Sequence, residues 1–280
     1  MIKWMLALLL CAPAVGAHAQ MRVASINMCA DQLLLLMAPR ENIVSLSYLS
    51  ADPQYSSWTE QASTFPLNHA GAEELVTLAP DLVLAGQYSD PMVIRLLRQQ
   101  GIDVYQMTRP QHLEQLFDEA LAVGKLLGRE EVAKQLIQTW QRDIARLLEQ
   151  GSAPEQPRLA IVGPNGFTEG AGSLRDQMLQ QAGIINTAAE LGLVGNSAFT
   201  LEQLITARPD LIALEDSTRN VNSLAQRLLQ HPAIGNLATM TVELPANMWS
   251  CPGPSYVQAL GALIEAKLWW LARQDNLVEQ

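Results

Sequence analysis

A chain of 280 residues, 49% of them apolar, can bury one large core or two smaller ones and has the balance of a globular protein. Its formal charge is −10, from 28 Asp and Glu against 18 Lys and Arg. Nucleic acid and anionic membranes attract basic surfaces, so neither is expected as the partner.

The first 20 residues, MIKWMLALLLCAPAVGAHAQ, carry a positive charge at Lys3, an apolar stretch from Trp4 to about Val15, and the small-x-small triplet Ala17-His18-Ala19. This is the pattern of an export signal, expected to be cleaved after Ala19. The apolar run falls short of the roughly 20 residues that a membrane-spanning helix needs. Cys11 raises the question of lipidation, but no small residue stands just before it in LLLC. The mature protein is therefore expected outside the cytoplasm, in the periplasm.

Short aliphatic runs then alternate with amphipathic segments. RVASI (22–26), NIVSLS (42–47), DLVLAG (81–86) and IDVYQM (102–107) predict strands, each bounded by turn formers. Between them, ADQLLLLMA (30–38), AEELVTLA (72–79) and PMVIRLLRQQG (91–101) predict helices, the last with Pro at its start and Gly at its end. From Gln111 to Gln150 there is no strand signal and no Pro. Val132, Leu136, Ile137, Trp140, Ile144, Leu147 and Leu148 recur at helical spacing, with Gly151 as the stop. A helix of about 22 residues would be roughly 33 Å long, enough to cross between two lobes.

Beyond it the alternation restarts. RLAIVG (158–163), DLIALE (210–215) and MTVELP (240–245) predict strands; SLRDQMLQQAG, TLEQLITA and VNSLAQRLLQH predict helices. Strands alternating with helices imply parallel sheets with covered faces. One phrase occurs in both halves: EELVTLAPDLVLA, from Glu73 to Ala85, and EQLITARPDLIAL, from Glu202 to Leu214. Each copy reads as a helix-turn-strand unit in one of two similarly built lobes. The expected class is α/β, two Rossmann-like lobes with parallel sheets bridged by a single long α-helix. The expected divisions are residues 1–19 signal peptide, 20–110 first lobe, 111–151 helical linker and 152–280 second lobe.

This repeated phrase, together with GFTEGAGSLRDQMLQQAG, resembles periplasmic substrate-binding proteins of ABC importers whose two α/β lobes are bridged by one long helix. Cobalamin- and siderophore-binding members are nearest in appearance, and the similarity runs from RVASIN to GPSYVQALGALIEAKLW. In that family each lobe presents a surface glutamate to basic residues of the membrane permease. The matching positions are Glu73 and Glu202; apart from the resemblance, both are ordinary first-turn glutamates favoured by the helix dipole.

A ligand is expected between the lobes, at the carboxyl ends of the strands. Tyr48, Phe65, Tyr88, Phe167 and Trp249 fall in loops there, and flat rings suit a macrocycle or planar chelate. Some of these five would serve equally as lobe-core residues. The nearest basic residues, Arg109 and Arg175, form no cluster of the kind that binds anionic siderophore chelates, which favours a neutral or zwitterionic corrinoid; a ferric siderophore, haem or a soft-metal complex is the alternative ligand of the same fold. Two departures from the family pattern stand out. Gly86 occupies a place where a bulky aromatic is expected, and NMWSC lacks an expected arginine.

Cys29 and Cys251, one per lobe, leave three readings open: inert buried thiols, a disulfide, or soft ligands that touch a metal complex with His69 nearby. His69 and His112 have no partners at metal-ligand spacing, so no resident metal or cofactor is expected. No Gly-x-Ser-x-Gly elbow, phosphate-binding loop or dinucleotide fingerprint is found, so no catalysis is expected. The expected function is capture of a metal-chelate nutrient by a monomer. An inner-membrane ABC permease with its ATPase would receive it.

Overall fold

The computed structural model describes residues 21–215, 225, 227–229, 231–234, 237, 240–243, 246–249, 251 and 253–278. The predicted export signal with Cys11, and most of the predicted helix VNSLAQRLLQH, lie outside the described residues.

The first lobe comprises β1 (Val23–Ser25), α1 (Met28–Met37), β2 (Ile43–Ser47), α2 (Thr59–Ala62), β3 (Leu67–Asn68), α3 (Ala72–Leu78), β4 (Leu82–Gly86), α4 (Pro91–Gln99) and β5 (Asp103–Met107). Its five strands are parallel in the order β3-β2-β1-β4-β5. The central strands β1 and β4 are buried throughout, as their unbroken apolar runs require between two helical layers. Helix α4 starts where expected: the Asp90 side chain accepts the Met92 N–H at 2.7 Å and Pro91 occupies the first turn.

Two helices then connect the lobes, α5 (Leu113–Leu126) and α6 (Glu130–Gln150). The 21 residues of α6 span about 31 Å. Its first half, with Leu136, Ile137 and Trp140, packs on the first lobe's core; Ile144, Leu147 and Leu148 pack on the second's. This is the expected interlobe helix. Helix α5, not foreseen as a bridge, runs beside it in the opposite sense. Leu113 and Leu116 belong to the second core, Ala120 and Val123 to the first. Close packing at Gly124 makes the pair possible, since a Cβ there would lie 2.4 Å from that of Ala133.

The second lobe comprises β6 (Arg158–Val162), β7 (Phe167–Glu169), α7 (Leu174–Gln181), β8 (Ile185–Asn186), α8 (Thr187–Glu190), β9 (Asn196–Ala198), α9 (Leu201–Ala207), β10 (Leu211–Leu214), β11 (Met240–Glu243), α10 (Ala246–Trp249) and α11 (Pro254–Val278). Four strands are parallel in the order β11-β10-β6-β8. The small pair β7–β9 is antiparallel, a departure from the all-parallel expectation. Helix α11 returns along α6, and its Lys267, 1% exposed, donates to the carbonyls of Gly151, Ala153 and Ala182. One ammonium thus satisfies the carboxyl ends of both α6 and α7, where backbone acceptors lack helical partners.

The repeated phrase performs one task twice. Helices α3 and α9 end in left-handed residues, Ala79 (φ 45°) and Arg208 (φ 48°). The Pro-Asp pair follows each. Asp81 accepts the Arg22 N–H at 2.7 Å, and Asp210 accepts that of Arg158 at 2.8 Å. The Arg22 guanidinium donates to the carbonyls of Leu78 and Ala79, and Arg158 donates to that of Ala207. In each lobe the arginine that opens the first strand is clasped to the end of the helix preceding the neighbouring strand.

Candidate functional site

In both sheets the chain order reverses beside the first strand, between β1 and β4 and between β6 and β10. Crevices at the carboxyl ends of strands form at such points. The two face one another across a cavity of about 450 Å³. The first lobe supplies the turn after β1, the turn after β4, and residues 107–111 that leave β5; the second supplies Phe167, Glu169, Leu174, Arg175 and Trp249.

Three of the five aromatics expected at the cleft line this cavity. Tyr88 is 78% exposed at its mouth, Phe167 is half-buried, and Trp249 is buried with the Arg175 guanidinium 5.1 Å from its ring centre. Tyr48 sits just outside, stacked on His69 with ring centres 4.7 Å apart, while the adjacent Leu49 reaches the wall. Phe65 is a correction. It precedes β3, at the amino end of the sheet, and packs under the Arg40 guanidinium at 4.2 Å and against the first core, away from the cavity. In a parallel sheet, residues that enter a strand lie opposite the carboxyl-end crevice.

Each arginine of the cavity faces a carboxylate. Arg109 ion-pairs with Glu169 across the lobes and donates to Asn196 Oδ1 at 3.1 Å. Arg175 lies 3.8 Å from the other Glu169 oxygen and also pairs with Glu215, an ion contact rather than an aligned hydrogen bond. Glu119 lines the wall too, accepting from Tyr105 Oη at 3.0 Å and from the Thr108 N–H at 2.9 Å. Burial and the Glu119 charge push Tyr105 up to about 12, leaving it a neutral donor. Sequence reasoning had named Arg109 and Arg175 but not Glu169, Glu215 or Glu119. Glu169 lies inside the quoted loop GFTEGAG, where a carboxylate near the two arginines was the available signal.

Gly86 has a local explanation. An added Cβ would approach Asn27 Nδ2 to 2.3 Å, and the Asn27 side chain caps α1 by accepting the N–H groups of Cys29 and Ala30. An aromatic here would dislodge the cap.

Cys29 and Cys251 form a disulfide with Cα atoms 5.1 Å apart, which selects one of the three open readings and joins the lobes covalently at the cavity wall. Among the described residues, no group of three or more His, Cys, Asp or Glu could hold a metal.

Glu73 and Glu202 are exposed in the first turns of α3 and α9. Both helices end at the amino edge of their sheets, clasped by Arg22 and Arg158. Both first turns therefore lie toward the carboxyl edges, where the cleft is. The Glu202 carboxyl is held below the usual range by hydrogen bonds from its own backbone and from Thr200. In α3 the chain entering the helix is tied down by Glu74, which accepts the His69 N–H at 2.9 Å.

No helix among the described residues is long and apolar enough to cross a membrane. The sequence profile described as "Periplasmic binding protein" matches residues 23–241. A "Cobalamin-binding protein" of Halobacterium salinarum is 22% identical over 255 residues, covering 88% of this chain and 69% of its own length. An "Uncharacterized ABC transporter substrate-binding lipoprotein" of Bacillus subtilis is 22% identical over 71% of this chain and 64% of its own. Two solved structures share the fold. The periplasmic heme-binding protein RhuT from Roseiflexus sp. RS-1 aligns at TM-score 0.76 and 21% identity, over 90% of this chain and 99% of its own. The periplasmic vitamin B12 binding protein BtuF of Vibrio cholerae aligns at TM-score 0.64 and 20% identity, over 88% and 97%. The profile covers most of the chain and the architecture agrees with it: this protein belongs to the periplasmic binding protein family, with two α/β lobes bridged by a long helix.

Proposed function

We propose that the protein captures a corrinoid in the interlobe cavity, outside the cytoplasm, and delivers it to an ABC permease driven by its ATPase. It acts as a monomeric carrier and catalyses nothing. The carrying observation is the charge balance of the cavity: Arg109 and Arg175 are both engaged by Glu169, and Arg175 also by Glu215. An anionic chelate would have to displace these carboxylates, whereas a ligand without net negative charge would not. Trp249, Phe167 and Tyr88 offer apolar faces to its ring edges, and such rings bury large area at low entropic cost. Tyr48 guards the rim. Glu73 and Glu202, one per lobe, dock on basic sites of the permease.

The test is the visible absorption of protein purified from rich medium, followed by calorimetric titration with cyanocobalamin, haemin and a ferric hydroxamate chelate. Tight binding of cyanocobalamin with little affinity for the other two is expected. Preference for haemin or the ferric chelate would move the assignment to the haem or siderophore branch of the same fold, and binding of none would overturn metal-chelate capture.

A further inference from the structure

We propose that the Cys29–Cys251 bridge is a thiol-exchangeable latch, which holds the lobes closed on one side of the cleft and sets how fast the ligand leaves. The ligand part rests on the capture function above. The bridge joins residues 222 apart in sequence and lies where α1 of the first lobe meets the segment after α10 of the second.

The chemistry of this seam is poor at closing itself. Gln32 of α1, 1% exposed, has neither its side-chain nitrogen nor its oxygen paired, and a Cβ on Gly253 of the second lobe would lie 3.7 Å from that oxygen. Trp249 Nε1 is likewise buried and unpaired. Burying polar atoms without partners costs free energy that water would return on opening. Against this, α10 offers a neutral hydrogen bond across the seam, from Asn247 Nδ2 to the Pro53 carbonyl at 3.2 Å. The covalent bond thus enforces a contact that weak polar ties would hold loosely.

The bridge is also placed for exchange. Cys29 is half-buried and lines the cavity, whereas Cys251 is 2% exposed, so a thiolate arriving through the cleft meets the Cys29 sulfur. The attacking dithiol forms a mixed disulfide with Cys29; the original S–S bond breaks, and Cys251 leaves as a thiolate and takes a proton. The second thiolate of the reductant then attacks its own sulfur in the mixed disulfide and expels Cys29. Two electrons pass from the dithiol, which ends as a disulfide, to the cystine. Cys29 is a good leaving group in this second step. It lies in the first turn of α1, where the helix dipole favours a thiolate.

The test uses the full chain, with and without dithiothreitol under native conditions. Hydrogen exchange across α10 and the first turn of α1 is measured on ligand-free protein, and release is then measured for bound cyanocobalamin. Reduction is expected to accelerate exchange there and ligand release by about tenfold or more, since local opening is no longer tethered. The double variant Cys29→Ser with Cys251→Ser should match the reduced protein. A bridge that resists dithiothreitol in the folded protein would overturn the latch, and so would equal exchange rates in the oxidised and reduced forms. If the double variant fails to fold, the reduced wild-type chain still decides. If cyanocobalamin binds neither form, the capture assignment fails while the exchange comparison still judges the latch.

Discussion

Arg109, on the segment leaving the first lobe, forms an ion pair with Glu169 of the second, whose side chain is 3% exposed against 32% for the arginine. The pair closes one side of the cavity as the disulfide closes another. Removing the arginine leaves a buried carboxylate whose other cation, Arg175, lies 3.8 Å away.

Arg109→Ala should therefore destabilise the protein by about 1–3 kcal/mol, less than a fully buried pair because the arginine is partly solvated. Chemical denaturation measures this, and Glu169→Gln in the same background should recover part of the loss.

Alanine at Trp249 removes the most buried ring of the cavity and the face under Arg175. Binding of the preferred chelate should weaken at least about tenfold, equivalent to roughly 1.4 kcal/mol. Calorimetry on a variant whose melting is checked separately would show it, and unchanged affinity would remove this residue from the site.

Reversing both exposed acids, Glu73→Arg with Glu202→Arg, should abolish ligand uptake by the reconstituted permease while ligand affinity stays unchanged. Single exposed ion pairs are worth about 0–1 kcal/mol, so either reversal alone should act mainly on association rate and be salt-sensitive.

Complete burial pushes Asp31 up to about 7 from an ordinary 3.8, although Ser47 N–H and Ser50 Oγ donate to it. Between these values the folded protein holds a proton that the unfolded chain has released. This group's contribution to stability therefore falls as pH rises from about 4 to about 7 and stays low above. Asp31→Asn keeps an acceptor for both donors and does not titrate. Its melting temperature should lack this part of the slope, which parallel melts from pH 4 to pH 8 would reveal.

Lys267→Met removes one ammonium from three carbonyls while keeping most of the side-chain volume. Two buried acceptors at two helix ends, and the part-buried Ala153 carbonyl, lose their donor, and a loss of about 2–4 kcal/mol is expected by denaturant titration.

In Val23–Met107 the strands β1, β2, β4 and β5 and the helices α1, α3 and α4 were legible in the chain, as was the long helix ending at Gln150. Their signals are local: apolar period, a capping Asp90 before Pro91, Gly151 after the last turn. Short pieces such as β3 and β7 were not, because two or three residues carry no period of their own. Phe65 was misplaced for a related reason. A loop residue shows which strand it neighbours, but the end of the sheet it occupies depends on where that short strand begins.

What the sequence by itself determined is the doubled αβ construction and its glutamates at matching places. Helix and strand periodicity, and a Pro-Asp clasp written twice, act over a few neighbouring residues. Only the tertiary structure decided that Cys29 bonds Cys251, that Glu169 and Glu215 neutralise the cavity's arginines, and that α5 shares the bridge with α6. Those pairings join residues of different elements, most of them far apart in the chain. They exist because packing brings two lobes and two bridging helices into one register, a constraint that no local pattern encodes.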